Sequence, residues 1–220
     1  MQYICDWTEY QKVVCPAEDI EAEGFAGVKL KAGGSSSKGW HYVDPFWERS
    51  AKAVLATKLL PLAYWYLSPQ HPGGQAGTFI DLMTDTDSKF IPVLDVEHED
   101  LNWNHVFRFF DVWTTVTSQK LMLYTRKNFW TRHQMVPSAI AWFPLLEEAH
   151  WVSESVRQDP LKPFASHQAK SVQGSWWNPG YGGYRAATLI QFTDNALVAG
   201  QRTCASVYIG SKDSLAKALR

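Results

Sequence analysis

The sequence predicts a single α/β domain over residues 1–220, in which a (β/α)8 barrel of the TIM type is the simplest closure of the sheet. Short β-type runs alternate with longer segments of helical spacing from one end of the chain to the other, which is typical of a parallel sheet built from βα units. The 220 residues are 45% hydrophobic and 20% charged, a composition that supports one buried core. We find no internal repeat and no long linker, so we expect one domain.

Seven short runs are the predicted strands of this barrel. In a βα barrel the carboxyl ends of the strands open on one face, and residues there are the first candidates for catalysis. The runs are Gln2–Cys5, Gly27–Lys31, Leu60–Leu67, Phe90–Asp95, Lys120–Tyr124, Pro163–His167 and Ala187–Phe192.

Four longer segments have the apolar spacing of helices. They are Pro45–Lys58, Gln75–Thr84, Trp103–Thr117 and Pro144–Val156. The first has Asp44 as a cap residue and Pro45 in the first turn, which favours a helix start. Two further stretches, Gly33–Gly39 and Gln173–Tyr184, are rich in Gly, Ser and Pro and are predicted to be irregular loops.

Charge and cysteine content exclude several function classes. The formal net charge is -1 and the pI is about 6.6, so no positive field attracts nucleic acid or an anionic membrane. The three cysteines Cys5, Cys15 and Cys204 are an odd number without metal-type spacing. We therefore expect no disulfide framework, no metal site and a reducing compartment of synthesis.

The amino-terminal region lacks the pattern of a signal peptide. Asp6 interrupts it before an apolar stretch can form, and the most apolar stretch, Ala51–Leu67, contains two lysines and a proline. We expect no membrane span and synthesis in a cytoplasm, with release by another factor if the target is a cell wall, as for phage lysis enzymes.

The strongest catalytic signal is the run from Phe90 to Glu97, an apolar strand that presents two carboxylates at its end. Period-two alternation points Asp95 and Glu97 to the same side. Two neighbouring carboxylates raise the pKa of at least one of them, as a glycosidase needs for its proton donor. The alternative is that these acids only begin the polar loop that continues through His98, Glu99 and Asp100.

A third carboxylate follows the first predicted strand, where Tyr3-Ile-Cys5 runs into Asp6 and Trp7. Because strand ends converge on one face of a barrel, Asp6 can meet Asp95 and Glu97 there. The alternative is a turn or helix-cap role for Asp6. The chain also carries eleven Trp, nine Tyr and eleven Phe, and aromatic rings are the usual stacking surface for sugars, although most of them will form the core.

Six motifs together resemble glycoside hydrolase family 25, the Ch-type lysozymes that are common among phage endolysins. The resemblance covers nearly the whole chain. The motifs, in chain order, are Asp6-Trp-Thr-Glu-Tyr-Gln11, Val28-Lys-Leu-Lys31, Leu62-Ala-Tyr-Trp-Tyr66, Pro92-Val-Leu-Asp-Val-Glu97, Leu123-Tyr-Thr125 and Ile190-Gln-Phe-Thr-Asp194.

The resemblance implies an irregular (β/α)8 barrel. It also implies a peptidoglycan hydrolase that cleaves the β-1,4 bond between N-acetylmuramic acid and N-acetylglucosamine without metal or organic cofactor. It implies that Glu97 is the general acid and that Asp95 and Asp6 are supporting carboxylates. We expect a monomer whose partner is bacterial cell-wall peptidoglycan. The stereochemical outcome stays open, although the family is usually taken as retaining. The substrate-binding residues that it implies are Tyr64, Tyr66, Tyr124, Lys31, Gln191 and Asp194.

Two departures from the family pattern leave questions open. Counting from Gln191 places Ser206 where the family has a further aspartate, so the fourth carboxylate is missing or comes from Asp194 or another acid. The segment 129–159 also fits poorly, and its tryptophans either reshape the sugar groove or pack the barrel.

Two other functions compete with the muramidase. One is a glycan-binding protein that keeps the barrel and has lost catalysis. The other is a barrel hydrolase that acts on chitin-like chains.

Overall fold

The computed structural model describes residues 1–35, 41–133, 135, 139, 141–150, 162–163 and 174–220. Strands in these residues are β1 (Gln2–Trp7), β2 (Gly27–Ser35), β3 (His41–Val43), β4 (Leu60–Tyr66), β5 (Ile91–Asp95), β6 (Met122–Thr125), β7 (Leu145–Ala149), β8 (Lys162–Pro163), β9 (Leu189–Val198) and β10 (Gln201–Tyr208). Helices are α1 (Ala17–Ala22), α2 (Trp47–Leu55), α3 (Pro72–Asp85), α4 (Trp103–Val116), α5 (Lys127–Arg132) and α6 (Lys212–Leu219). Short 3-10 helices span Glu9–Gln11 and Gly174–Trp177.

Eight of these strands close into a ring, in the order β1-β2-β4-β5-β6-β7-β9-β10 and back to β1. The neighbours from β1 through β9 pair in parallel, whereas β10 pairs antiparallel with both β9 and β1. Strand β3 extends the sheet beside β2, and β8 pairs with β9 outside the ring. The predicted irregular barrel in a single domain is confirmed, and its irregularity lies in this antiparallel closure.

Alternating residues of the strands separate two apolar layers. On β5, Val93 faces the barrel interior, while Leu94 faces the helices. The interior layer also contains Leu215 and Leu219 of α6, together with the first residues of β4 and β5, Leu60 and Ile91. Helix α6 therefore closes the end of the barrel where the parallel strands begin, and the opposite end is left for a ligand.

Local sequence explains the elements that frame the open end. Asn102 caps α4 by accepting hydrogen bonds from the backbone of Asn104 and His105. The antiparallel β9–β10 pair turns through Ala199 and Gly200, both with positive φ, as a two-residue hairpin loop requires. None of the helices in the described part of the chain is long and apolar enough to cross a membrane.

The helix predicted over Pro144–Val156 is wrong. Residues Leu145–Ala149 form β7, and residues 151–156 lie outside the described residues. The Leu-Leu-Glu-Glu sequence has the residue types of a helix, but here it forms a barrel wall in which Leu146, Glu147 and Glu148 are all buried. Burial in the folded protein, and not helix propensity, therefore determines the conformation of this segment.

The other predicted elements agree with the structure to different extents. The strands near β1, β2, β4, β5, β6 and β9 and the helices near α2, α3 and α4 are present with shifted ends. Of the predicted strand Pro163–His167, only Pro163 is described, in β8. The predicted loop Gly33–Gly39 is wrong for residues 33–35, which continue β2, and its remainder lies outside the described residues. The predicted loop 173–184 contains the 3-10 helix Gly174–Trp177.

The sequence did not predict strands β3 and β10 or helices α1, α5 and α6. β10 begins with Gln201, Arg202 and Thr203 and lacks a clear apolar run. Two of the eight ring strands were therefore not predicted as strands: β7, whose residue types favour a helix, and β10, whose composition does not indicate a strand.

Candidate active site

The three predicted carboxyl groups share one cavity at the open end of the barrel. Asp6 is the penultimate residue of β1, Asp95 is the last residue of β5, and Glu97 follows two residues later. The cavity has a volume of about 110 Å³, enough for a few atoms of a ligand. Its lining residues are Asp6, Lys29, Tyr64, Asp95, Glu97, Tyr124, Gln191 and Cys204.

Asp6 is held in place by its side-chain contacts. One carboxylate oxygen accepts a hydrogen bond from Gln191 Nε2 at 3.2 Å, and the other lies 3.3 Å from Lys29 Nζ. Only 8% of the residue is exposed. Burial raises the pKa of Asp6 to about 7, an effect that the charge of Lys29 opposes and the charge of Glu147 reinforces. Near neutral pH this carboxyl group therefore titrates.

Asp95 and Glu97 form the pair that the alternation of β5 predicted. Burial, and then the negative charge of Glu97, raise the pKa of Asp95 well above its usual range. Burial also raises the pKa of Glu97, against the lowering effects of Arg126 and Lys29. Asp95 is buried, whereas Glu97 is partly exposed. Glu97 is therefore the member of the pair that can pass a proton to a ligand.

Polar groups from β6 and β9 connect the cavity wall. The Tyr124 hydroxyl donates a hydrogen bond to Gln191 Oε1 at 2.8 Å, and the amide nitrogen of Gln191 donates to Asp6. Lys29 Nζ lies 4.7 Å from the centroid of the Tyr124 ring. The positions of Tyr124 and Gln191 are thus fixed relative to the carboxylates, and with Tyr64 they lie on the same cavity.

The other three residues predicted to bind substrate do not line this cavity. Lys31 Nζ is paired with Glu9 at 2.9 Å and accompanied by the Tyr42 hydroxyl at 2.7 Å. Tyr66 is close enough to the acids that the charges of Asp95 and Glu97 raise its pKa, after the larger effect of burial.

Asp194 lies in the middle of β9. Its carboxylate is 3.9 Å from the guanidinium of Arg202. Like Lys31 and Tyr66, it is absent from the cavity lining.

Two charged residues of the site were not predicted from the sequence: Lys29 in the cavity wall and Glu147 behind it. Lys29 Nζ donates a hydrogen bond to Glu147 Oε2 at 2.7 Å, and both residues are almost completely buried. The alternation Val28-Lys-Leu-Lys31 could have indicated that Lys29 faces inward. The inward-facing position of Glu147 was not predicted, because the residue types of its strand favour a helix.

Ser206, the position where a fourth carboxylate was expected, contacts one. Its hydroxyl donates a hydrogen bond to Glu147 Oε1 at 2.5 Å, and Ser206 is 0% exposed. An acid therefore stands next to this position, supplied by β7 and not by Asp194. The free thiol of Cys204 lines the cavity wall two residues earlier.

An aspartate at position 206 should destabilise the fold. In Ser206→Asp, a second buried carboxylate would face Glu147 in place of a hydrogen-bond donor, so we expect a loss of about 2 kcal/mol or more in the free energy of unfolding at pH 7. Urea denaturation measures this loss, and Ser206→Ala is the control without the added charge. Equal stability of Ser206→Asp and Ser206→Ala would contradict the prediction.

The described residues contain no group of three or more His, Cys, Asp or Glu side chains arranged to hold a metal ion.

Comparisons with known proteins place this geometry in context. The family model for glycosyl hydrolases family 25 matches residues 5–200. No curated protein matches the sequence. Among solved structures, the chain is similar to the spore cortex lytic enzyme SleM of Clostridium perfringens, with 23% identity, a TM-score of 0.73, and coverage of 97% of this chain and 68% of that one.

Two further structures have the same fold over nearly their whole length. The lysozyme from Streptomyces coelicolor has 17% identity, a TM-score of 0.72, and coverage of 99% of this chain and 96% of that one. The catalytic domain of endolysin ply40 from bacteriophage P40 of Listeria monocytogenes has 17% identity, a TM-score of 0.69, and coverage of 100% and 97%. With the family match over most of its length, the chain belongs to glycosyl hydrolases family 25 and is a glycoside hydrolase.

Proposed function

We propose that this glycoside hydrolase is an N-acetylmuramidase that cleaves the β-1,4 bond between N-acetylmuramic acid and N-acetylglucosamine in peptidoglycan. The observation that carries the proposal is the shared cavity of Asp6, Asp95 and Glu97 at the open end of a family 25 barrel. Its solved structural relatives include a lysozyme, a spore cortex lytic enzyme and a phage endolysin, which supports a cell-wall substrate.

Glu97 is the proton donor in this proposal. Cleavage of a glycosidic bond needs a proton on the departing oxygen, and a carboxyl group provides it only if its pKa is raised toward the working pH. Glu97 has a raised pKa and is the more exposed member of its pair with Asp95. Asp95 and Asp6 act as supporting carboxylates that stabilise the positive charge of the oxocarbenium-like transition state.

The aromatic and amide groups on the cavity are proposed to contact the sugar at the point of cleavage. Tyr64, Tyr124 and Gln191 line the cavity together with the acids. Tyr66, Lys31 and Asp194 lie outside it, so their proposed sugar contacts belong to neighbouring units of the glycan chain. In this proposal, the residues that line the cavity carry out catalysis, and the three residues outside it bind the rest of the glycan chain.

Purified bacterial walls and chitin oligosaccharides separate the candidate functions. Muramic acid carries a lactyl ether that N-acetylglucosamine lacks, so a muramidase lowers the turbidity of walls and leaves chitin oligosaccharides intact. Cleavage of chitin alone would favour a chitin-type hydrolase. Binding to walls with no new reducing ends would indicate a glycan-binding protein without catalysis.

The cation near Glu97 predicts a change in the pH profile. Arg126 lowers the pKa of Glu97, so removal of its charge in Arg126→Met should raise that pKa. A general acid loses activity as pH rises through its pKa, and the alkaline limb of the profile should therefore move to higher pH. We expect a shift of about half a pH unit in kcat/KM against pH.

Arg132→Met is the matched control for this change. Arg132 pairs with Glu99 at 2.6 Å on an exposed part of the surface and is not among the charges that act on Glu97. An alkaline limb that stays in place in Arg126→Met, or that moves equally in both variants, would contradict the assignment of Glu97 as the proton donor.

A further inference from the structure

A buried lysine on β2 lies between one carboxylate on the adjacent strand β1 and another on β7, across the ring. Lys29 Nζ on β2 is 2.7 Å from Glu147 Oε2 on β7 and 3.3 Å from Asp6 Oδ1 on β1. Lys29 is 2% exposed and Glu147 is 0% exposed. Asp6 and Lys29 line the catalytic cavity, and Glu147 lies behind Lys29, outside the lining.

Glu147 has contacts that fix its direction. One oxygen accepts the hydrogen bond from Lys29, and the other accepts the hydrogen bond from Ser206 on β10. Both oxygens of this buried carboxylate are therefore satisfied, as burial of a charge requires. The shorter of the two contacts of Lys29 is with Glu147, so the position of the ammonium group beside Asp6 depends on Glu147.

A buried cation and a buried anion each cost several kcal/mol when they are left unpaired. Without the carboxylate of Glu147, the full charge of Lys29 would act on Asp6 alone. Without Lys29, the carboxylates of Asp6 and Glu147 would face each other with no cation between them. The charge of Asp6 in the cavity thus depends, through Lys29, on a residue that does not line the cavity. Glu147 is absent from the cavity lining.

We infer that Glu147 is a positioning residue of the active site. Through Lys29 it holds the Asp6 carboxylate in place and determines how readily that group is ionised in the cavity that it shares with Glu97. The inference rests on the proposed function for the role of Asp6 in catalysis. The arrangement of Glu147, Lys29 and Asp6 can be tested independently of any turnover.

Every group that faces Asp6 bears on the direction of the expected change. Lys29 lowers the pKa of Asp6, whereas burial and the charges of Glu147 and Glu97 raise it. The remaining titratable neighbours of Asp6 are groups that are either neutral or negatively charged, so none of them lowers its pKa. These neighbours are Asp95 on β5, Tyr64 on β4, Cys204 on β10 and Cys5 on β1.

The first test is the titration of Asp6 in Glu147→Gln. It is monitored by 13C NMR of labelled aspartate carboxyl carbons, and the Asp6 signal is assigned with the variant Asp6→Asn. Glutamine keeps the shape of Glu147 and loses its charge, so Lys29 acts on Asp6 alone. We expect the pKa of Asp6 to fall by about one pH unit from its value of about 7. In an active enzyme, the acid limb of kcat/KM should move down with it, since Asp6 then remains ionised to lower pH.

Glu148→Gln is the matched control. Glu148 is the next residue on β7, is equally buried, and faces the other side of the barrel wall, where it lies 3.2 Å from His150. The same chemical change there should leave the titration of Asp6 in place.

Lys29→Met gives a shift of opposite sign. Without the cation, Asp6 faces Glu147 unscreened, and its pKa should rise by about one pH unit or more. A role in folding alone would not produce opposite shifts in two variants. If either single variant does not fold, Lys29→Met with Glu147→Gln removes the buried charges as a pair, and the pKa of Asp6 should still rise because Lys29 has the larger effect of the two.

An Asp6 titration that is unchanged in Glu147→Gln, or in the double variant if that is the one that folds, would overturn the inference. Equal shifts in Glu147→Gln and Glu148→Gln would also overturn it. A protein with the expected titration shifts but no activity on walls would contradict the proposed function and leave this inference standing.

Discussion

Replacement of Glu97 by glutamine should reduce the rate of wall cleavage by at least about a hundredfold. Glutamine keeps the size and shape of the side chain and cannot donate a proton to the departing oxygen, and general acid catalysis contributes on the order of 10² to 10⁴ in rate. Glu97 is partly exposed, so the substitution leaves no cavity in the core and the fold should be retained. Rates of reducing-end release from purified walls measure the loss.

Glu99→Gln is the control for Glu97→Gln. Glu99 lies two residues further along the same segment, is exposed and does not line the cavity; its carboxylate contacts Arg132, Arg126 and His133. We expect its activity to stay within about twofold of the unmodified protein, because surface ion pairs contribute little. Glu97→Gln should still bind wall fragments. A rate above one tenth of the unmodified enzyme in Glu97→Gln would remove Glu97 from the proton-donor role.

The second large effect is expected at the supporting carboxylates. Asp6→Asn and Asp95→Asn should each lower turnover by about tenfold or more, since an amide cannot ionise to supply the negative charge that stabilises the transition state in a buried site. Both residues are buried and neither fills the apolar core. We therefore expect both variants to fold.

Asp95→Asn should also stabilise the protein at neutral pH. The pKa of Asp95 is raised in the folded state, so the folded protein binds a proton that the unfolded chain releases above about pH 4. The stability of the unmodified protein therefore falls as pH rises above that value, and asparagine removes this cost. Below about pH 4 both states are protonated, and the two proteins should be equally stable.

Thermal denaturation at pH 4 and pH 7, alongside turnover, tests both effects of Asp95→Asn. A higher midpoint at pH 7 with reduced turnover is the expected result. Unchanged turnover in both Asp6→Asn and Asp95→Asn would show that neither carboxylate takes part in the reaction.

The sequence could predict the parts of the site that local patterns encode. The apolar run before Asp95 and Glu97 is a strand, and alternation within it sends both acids to one face, as the structure has them. Asp6 follows from the rule that parallel strands end on one face of a barrel. These inferences need no knowledge of which strands are neighbours.

Residues whose role depends on packing across the barrel could not be predicted in this way. Glu147 belongs to a segment with helical residue types, and only burial on both sides of the wall makes that segment a strand. Ser206 lies on a strand without an apolar run, so its contact with Glu147 depends on a pairing that the sequence does not indicate. Lys29 faces inward by alternation, but a lysine inside a barrel is unexpected until its two carboxylate partners are known.

The most direct test of the muramidase assignment is the identity of the sugar at the new reducing ends. Walls digested by the protein are reduced with borohydride and hydrolysed in acid, and the sugar alcohols are identified. Cleavage of the bond that follows N-acetylmuramic acid predicts muramicitol as the product that increases with digestion and is lost in Glu97→Gln. Glucosaminitol in its place, or no sugar alcohol above the undigested control, would contradict the account.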